Sequence, residues 1–269
     1  MINYNQLASV FEAPKYFKLS FNKRYIITGM LEELLKEIIA CIEPDFFLEI
    51  GAFEAAFSVE LKKLYPNHHF LALEANPLVF ENFKSSVIDS GIDYRNLAAT
   101  SQRKDIEIHI PEVVAGNSMP KIGRMGSLNE LAIQNSRTRA VPVQGIPLDD
   151  LLQEFTFQHA AIWIDVEGHL SEVLSGANEL LKHCSIVFAE METSPVWEGQ
   201  ILAPEIINQM DKYGFSLVAR DCQKAFQYNG LFLSKHLILD YPNIALLVQE
   251  YFEISFKKFT ELAASELAD

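Results

Sequence analysis

The sequence predicts an α/β fold built on a doubly wound, mostly parallel sheet with helices on both faces. Three observations carry this reading. Short apolar runs at residues 45–50, 69–74 and 160–165 are of strand length, and a helix-period stretch follows each. Within these runs the apolar residues are consecutive rather than alternating, as in strands buried on both faces. With 49% hydrophobic and 22% charged residues, the 269-residue chain has ample material for a large core.

The elements follow in order. Residues 1–29 are a lead-in of weak periodicity. Leu31, Leu34, Leu35, Ile38, Ile39 and Ile42 then mark one apolar helix face, which Glu43 and Pro44 terminate. The strand at 45–50 runs into Gly51, and the next helix turns Phe57, Leu61 and Leu64 to one side. The strand at 69–74 leads to Asn76 as N-cap, Pro77 at the first helical position and Gly91 past the end. A third strand fits 94–98. Residues 101–150 break the rhythm: 106–110 alternate, and 114–126 are rich in Gly, Pro, Asn and Met, so this stretch is expected to be an insertion on the ligand-facing side of the sheet. After 160–165 comes a helix with Leu170, Val173, Leu174, Ala177 and Leu181 on one stripe. A buried strand at 185–190, a helix around Ile206, Ile207 and Met210, strands at 215–220 and 231–234, and a helical stretch after Pro242 complete the chain. The expected division is a lead-in and helix at 1–44, the main domain at 45–235 and a helical extension at 236–269.

Charge narrows the function. Twenty-two Lys and Arg against 36 Asp and Glu give a formal charge of −14, which disfavours nucleic acid and anionic membranes as partners and suits a small cationic or neutral ligand. The sequence contains no uncharged apolar run of spanning length, and its start lacks a basic and apolar leader, so a cytoplasmic protein is expected. Cys41, Cys184 and Cys222 are few and scattered, which fits a reducing compartment. The seven His show no zinc-binding spacing. A homodimer is allowed by the pattern but not required.

In an open parallel sheet the ligand lies beyond the carboxyl ends of the strands, where the strand order reverses. Four of the five strand ends carry a carboxylate, at Glu49, Glu74, Asp165 and Glu190. A single acid there commonly serves only the following helix N-terminus, whereas four on one rim point to a ligand. A dinucleotide needs G-x-G-x-x-G, but the first turn reads Gly51-Ala52-Phe53-Glu54-Ala55-Ala56 and has one glycine, with Glu54 placed against any phosphate. S-adenosylmethionine has no phosphate and carries a sulfonium and an ammonium, so it meets neither objection. Glu74, 23 residues after Gly51, stands where a carboxylate accepts ribose hydroxyls.

These segments carry a resemblance. Residues 48–52 (LEIGA), 73–77 (LEANP), 146–151 (IPLDDL) and 164–168 (IDVEG) with 172–177 (EVLSGA) resemble the FkbM family of S-adenosylmethionine-dependent methyltransferases, as do 126–128 (GSL) and 229–232 (NGLF). The similarity runs from about 45 to about 235, and the D-x-E-G segment is its most specific part. Phe53 and Ala55 stand where the family commonly has a small polar residue and a second glycine, and Ala75 replaces a proline. The resemblance implies a class I methyltransferase fold, Rossmann-like, acting on hydroxyl oxygens of sugars or natural products. It also implies that Glu49, Gly51, Ala52 and Phe53 line the methionine end, Glu74, Ala75 and Asn76 the ribose, and Ala98 the adenine, with Asp165 and Glu167 near the transferred methyl.

An acceptor alcohol must lose a proton, and Asp165, Glu167 and His169 are the candidates. His169 also reads as a first-turn surface histidine, and Arg124, Arg137 and Arg139 as solvated loop residues or acceptor contacts. Asp165 and Glu167 are two residues apart at a strand end and Glu190 ends the next strand, so two of the three could converge, either to share a hard divalent cation such as Mg²⁺ or to serve as a base. Because the resemblance demands no metal and only short spacing links Asp165 to Glu167, a metal-free base is the expectation here, with no metal ligands assigned. The alternative readings are a catalytically weak binding or scaffolding protein of the same fold, which Phe53 and Ala55 would suit, and a nicotinamide oxidoreductase, which the missing glycines disfavour.

Overall fold

The computed structural model describes residues 19–120, 122, 123 and 125–266. Among them, a main sheet of seven strands is assembled from β1 (Phe46–Ile50), β2 (His69–Leu73), β3 (Asp93–Arg95), β8 (Ala160–Ile164), β9 (Cys184–Glu192), β10 (Phe215–Arg220) and β11 (Gln227–Ser234), in the order β10-β11-β9-β8-β1-β2-β3. Pairings from β9 to β3 are parallel, while β11 runs antiparallel to both β9 and β10. The chain enters at β1, builds outward to β3, then returns to build β8 and β9 on the other side. The order therefore reverses between β1 and β8, and the crevice of a doubly wound sheet opens at their ends.

Two apolar layers cover the sheet. On one face α1 (Phe21–Ile42), α2 (Ala56–Leu64) and α8 (Pro242–Glu266) pack with Phe47, Phe70, Ala161 and Phe188. On the other, α4 (Leu170–Ser175), α5 (Asn178–Lys182) and α6 (Ala203–Lys212) cover Phe46, Leu48, Ile50 and Ile162. Successive residues of β1 thus feed opposite layers, as a pleated strand buried on both sides must. The six apolar positions expected to form the inward face of α1 are all buried. α3 (Pro77–Asp89) starts as its sequence requires, with Asn76 Oδ1 accepting the Leu78 N–H and Pro77 following.

Segment 101–150 carries a second, small sheet, in the order β4-β7-β5-β6, from β4 (Ala98–Ala99), β5 (Lys104–Val114), β6 (Asn117–Ser118) and β7 (Arg137–Ile146). A helical turn, Leu148–Glu154, leads from it to β8. α7 (Lys235–Asp240) joins β11 to α8, whose Ile244, Val248, Tyr251 and Phe259 are buried.

Three local expectations change. The strand expected at 94–98 divides between the two sheets, because the Asn96 side chain donates to the Glu74 and Ala75 carbonyls and turns the chain after Arg95. Leu64 is 63% exposed, and the inward position of α2 is taken by Ser58, which donates to Glu49. The single helix expected across 170–181 is two helices broken at Gly176 and Ala177. A side chain at Gly176 would lie 2.2 Å from the Thr100 carbonyl oxygen, so the break lets the Ala99 to Thr100 backbone close on the helix pair. Gly176→Ala should cost about 1–3 kcal/mol, the usual penalty for overpacking, measured by denaturant unfolding. Wild-type stability would show that the contact has room to give.

Candidate functional site

The site forms where β1 and β8 end side by side. The Asp165 N–H donates to the Ile50 carbonyl at 2.9 Å, and the N–H groups of Gly51 and Ala52 both donate to the Leu73 carbonyl. This draws the Gly51 turn over the end of β8. Gly51 has φ +73°, and a Cβ there would sit 1.7 Å from the Asp165 carbonyl oxygen. The sequence suggested that Gly51 makes room for a ligand. The structure adds a stricter reason, since the two strand ends could not otherwise meet. Phe53 and Ala55, where the family's pattern is smaller, also hold positive φ (49° and 50°) and continue the tight turn into α2.

Two cavities adjoin at this turn, and Gly51, Phe53 and Asp165 line both. The first, about 60 Å³, is walled by Val79, Leu97, Ala98 and Ile108, with Glu74, Ala75 and Asn76 on one side and Glu167 and His169 on the other. The second, about 280 Å³, is bounded by Glu49, Ala52, Thr28, Asn229 and Glu190. The small sheet contributes Ala98, Ala99 and Ile108, and the segment between β6 and β7 Gly126 and Leu128, to the first cavity.

Strand-end carboxylates dominate the electrostatics. Glu74 is buried and accepts N–H groups from Phe53 at 2.8 Å and Asn76 at 2.6 Å, which orients it into the first cavity. Glu49 accepts both the backbone N–H and the hydroxyl of Ser58. Burial outweighs these bonds and raises both carboxyls to about 7. Glu167 is raised to about 8 by burial and then by the neighbouring Asp165. Glu190 is driven well above the carboxylate range by the same causes, and Glu192 to about 7 by burial first.

The turn after β8 is clamped from outside the strand. Ser127 Oγ donates to the Glu167 carbonyl at 2.6 Å, and the fully buried Trp197 indole donates to Glu167 Oε2 at 3.3 Å. Glu167 itself has φ +45°, and Gly168 (φ +83°) packs so tightly on the indole that a Cβ would lie 2.7 Å away. This strained pair turns the Glu167 carboxylate back toward Asp165. Asp165, Glu167 and Glu190 each present an oxygen within 4.8 Å of the other two.

His169 is buried rather than on the surface, which corrects the first-turn surface reading. Its Nδ1 lies 3.0 Å from Asn129 Oδ1 and its Nε2 3.3 Å from the Thr100 hydroxyl. Burial and the nearby Lys104 lower its pKa to about 4, so it is neutral at pH 7, with Nδ1–H donating and Nε2 accepting. Asn129, Thr100 and Trp197 had no local signal in the sequence. Asn129 and Trp197 reach the site because 130–132 pair with 196–198, through Ala132 N–H to the Val196 carbonyl and Glu198 N–H to the Glu130 carbonyl, and Thr100 because its N–H donates to the Ile146 carbonyl at the end of β7. Arg137 pairs with Glu112 at 3.1 Å on the small sheet, and neither it nor Arg139 lines either cavity. Arg124 lies outside the described residues.

Glu49 makes a pH-dependent contribution to stability. Its folded pKa lies above the 4.5 of the unfolded chain. Stability from this group is therefore complete below pH 4.5 and declines as pH rises to about 7, by up to about 3 kcal/mol. Glu49→Gln should gain on the wild type by that order between pH 4.5 and pH 8 in denaturant unfolding. A constant difference across that range would contradict the assignment.

Comparison places the chain among known proteins. No curated protein sequence matches it. Among solved structures it is similar to a methyltransferase FkbM from Methylobacillus flagellatus, at 10% identity and TM-score 0.44, over 71% of this chain and 43% of that one. It thus spans less than half the length of that protein. It is also similar to magnesium protoporphyrin IX methyltransferase from Synechocystis, solved with bound SAM, at 7% identity and TM-score 0.42, over 77% of this chain and 80% of that one. A third likeness is to a precorrin-6y C5,15-methyltransferase from Geobacter metallireducens, at 14% identity and TM-score 0.36, over 70% and 78%. The family model for the methyltransferase FkbM domain matches residues 40–217, which takes in the Gly51 turn, Glu74 and the D-x-E-G turn but stops before Asn229 and Gly230. On that match the chain belongs to the FkbM methyltransferase family.

Proposed function

We propose that the chain binds S-adenosylmethionine and transfers its methyl group to a hydroxyl oxygen of a small molecule, a sugar or a natural product. The observation that carries this reading is the pair of cavities meeting at Gly51 and Asp165, with carboxylates on each side. The residues present fit the cofactor. Val79, Leu97 and Ile108 offer apolar faces for a base, and Glu74, already aimed into the cavity, offers acceptor oxygens for ribose hydroxyls. Asp165 and Glu190 suit a positively charged ligand and make a poor site for phosphate. When bound, the cofactor supplies an electrophilic methyl group.

The chain's own residues do the rest. Methyl transfer is an in-line displacement, and aligned positioning is worth up to about 7–11 kcal/mol. Asp165, at the junction of the two cavities, or Glu167, on the wall of the first, receives the acceptor's proton. His169, bonded at both ring nitrogens, acts as a positioning residue that holds Thr100 and Asn129 around the cavity.

Glu74→Ala should weaken S-adenosylmethionine binding at least tenfold, because charge-assisted hydrogen bonds are worth about 1.5–3 kcal/mol each. Gly51→Val should abolish it by separating the strand ends. Titration calorimetry showing wild-type affinity in both would refute the cofactor site.

Asp165→Asn and Glu167→Gln should each lower turnover by about 10²–10⁴ while cofactor affinity stays near wild type. The readout is S-adenosylhomocysteine release with a panel of hydroxylated acceptors. Full activity in both variants would leave positioning as the sole contribution and remove the proton-acceptor role.

A further inference from the structure

We infer that Asp165, Glu167 and Glu190 form a binding site for one hard divalent cation, of the Mg²⁺, Mn²⁺ or Ca²⁺ class. The sequence allowed two of these three acids to converge and favoured a metal-free base over a shared cation. The fold brings all three together, with their ligand oxygens within 4.8 Å of one another. Oxygens on opposite sides of a cation are ~4.2 Å apart at Mg²⁺ bond lengths and ~4.8 Å apart at Ca²⁺ bond lengths. The cluster already has the span of a coordination shell.

A second observation is independent of that clustering. Glu190 is only 8% exposed, and its buried Oε1 has no hydrogen-bond partner among the described residues. An orphaned carboxylate oxygen inside a protein is costly, and a cation is one way to satisfy it. Glu190 lines the larger cavity, Glu167 the smaller and Asp165 both, so the oxygens face the junction of the two. Lys224, whose charge acts on Glu167, Glu190 and Glu192, bonds to Gln227 Oε1. The three donors are all carboxylate oxygens, with no imidazole or thiolate among them, which selects hard cations over zinc or copper.

The role of the cation rests on the proposed transfer to a hydroxyl: coordinated there, an acceptor hydroxyl loses its proton more readily, to the uncoordinated oxygen of Asp165 or Glu167. Binding itself needs neither the cofactor nor an acceptor, so it is tested separately. The Trp197 indole donates to Glu167, so a lanthanide at the site lies close to a tryptophan donor. Titrating Tb³⁺ into the purified chain, with excitation of tryptophan, should give saturable green luminescence. Millimolar Ca²⁺ or Mn²⁺ should displace it, and Mn²⁺ alone should give a binding isotherm by calorimetry. Glu190→Gln and Asp165→Asn should each weaken the Mn²⁺ isotherm at least tenfold, with folding checked by circular dichroism. Trp197→Phe should weaken the luminescence, since Trp163 on the wall of the larger cavity remains as a donor, and keep the calorimetric signal. Absence of both signals in the wild-type chain overturns the inference. So does an unchanged Mn²⁺ isotherm in a folded Glu190→Gln or Asp165→Asn variant, which would place the ion on the acidic surface. Neither result touches the methyl-transfer reading, which stands or falls on S-adenosylhomocysteine release.

Discussion

The close approach of the Gly51 turn to the Asp165 carbonyl is the constraint on which the site depends. It is a backbone contact, made because neighbouring parallel strands end at the same level and the first must turn back at once. Everything chemical is arranged around it. Glu49 and Glu74 stand on the β1 and β2 side, Asp165 and Glu167 on the β8 side, and Glu190 one strand further. A single Cβ at position 51 would push these groups apart before it met any ligand.

The second organising fact is electrostatic. A doubly wound sheet delivers its strand ends to one edge, so acids at several of those ends become neighbours whatever their separation in the chain. Burial then makes their charges expensive, and they answer by holding protons, accepting N–H groups or awaiting a cation. Glu49 and Glu74 follow the first two routes, with Ser58, Phe53 and Asn76 as donors. Glu190 has no donor for Oε1 among the described residues, and this sets it apart from the other strand-end acids.

Small-residue contacts also fasten the edges of the site. Gly168 lets the D-x-E-G turn press on Trp197, and Gly176 lets the pair α4 and α5 close on Thr100. Both contacts tie β8 and its helices to segments far away in sequence: the loop after β9 and the end of β4 in the small sheet. The first cavity has walls from several separate stretches of chain. Its shape follows from their docking rather than from any one of them.

Much of this was legible in the sequence because it is local. Apolar runs buried on both sides, the Asn76-Pro77 cap, the lone glycine after β1 and the acids at strand ends each follow from spacing and residue type. They were enough to place the doubly wound sheet and the strand ends that border the crevice. What escaped was whatever depends on distance in the chain. The division of the third strand, the broken helix at Gly176, the burial of His169 against Thr100 and Asn129, and the hold of Trp197 on Glu167 all come from partners about 20 to 70 residues away. The sequence by itself determined which residues stand at the strand ends, since a period of two and a glycine turn are properties of neighbouring residues. Only the tertiary structure decided that Glu190 joins Asp165 and Glu167 at one point, because parallel register and the left-handed Glu167-Gly168 turn exist only once β8, β9 and the Trp197 loop have packed.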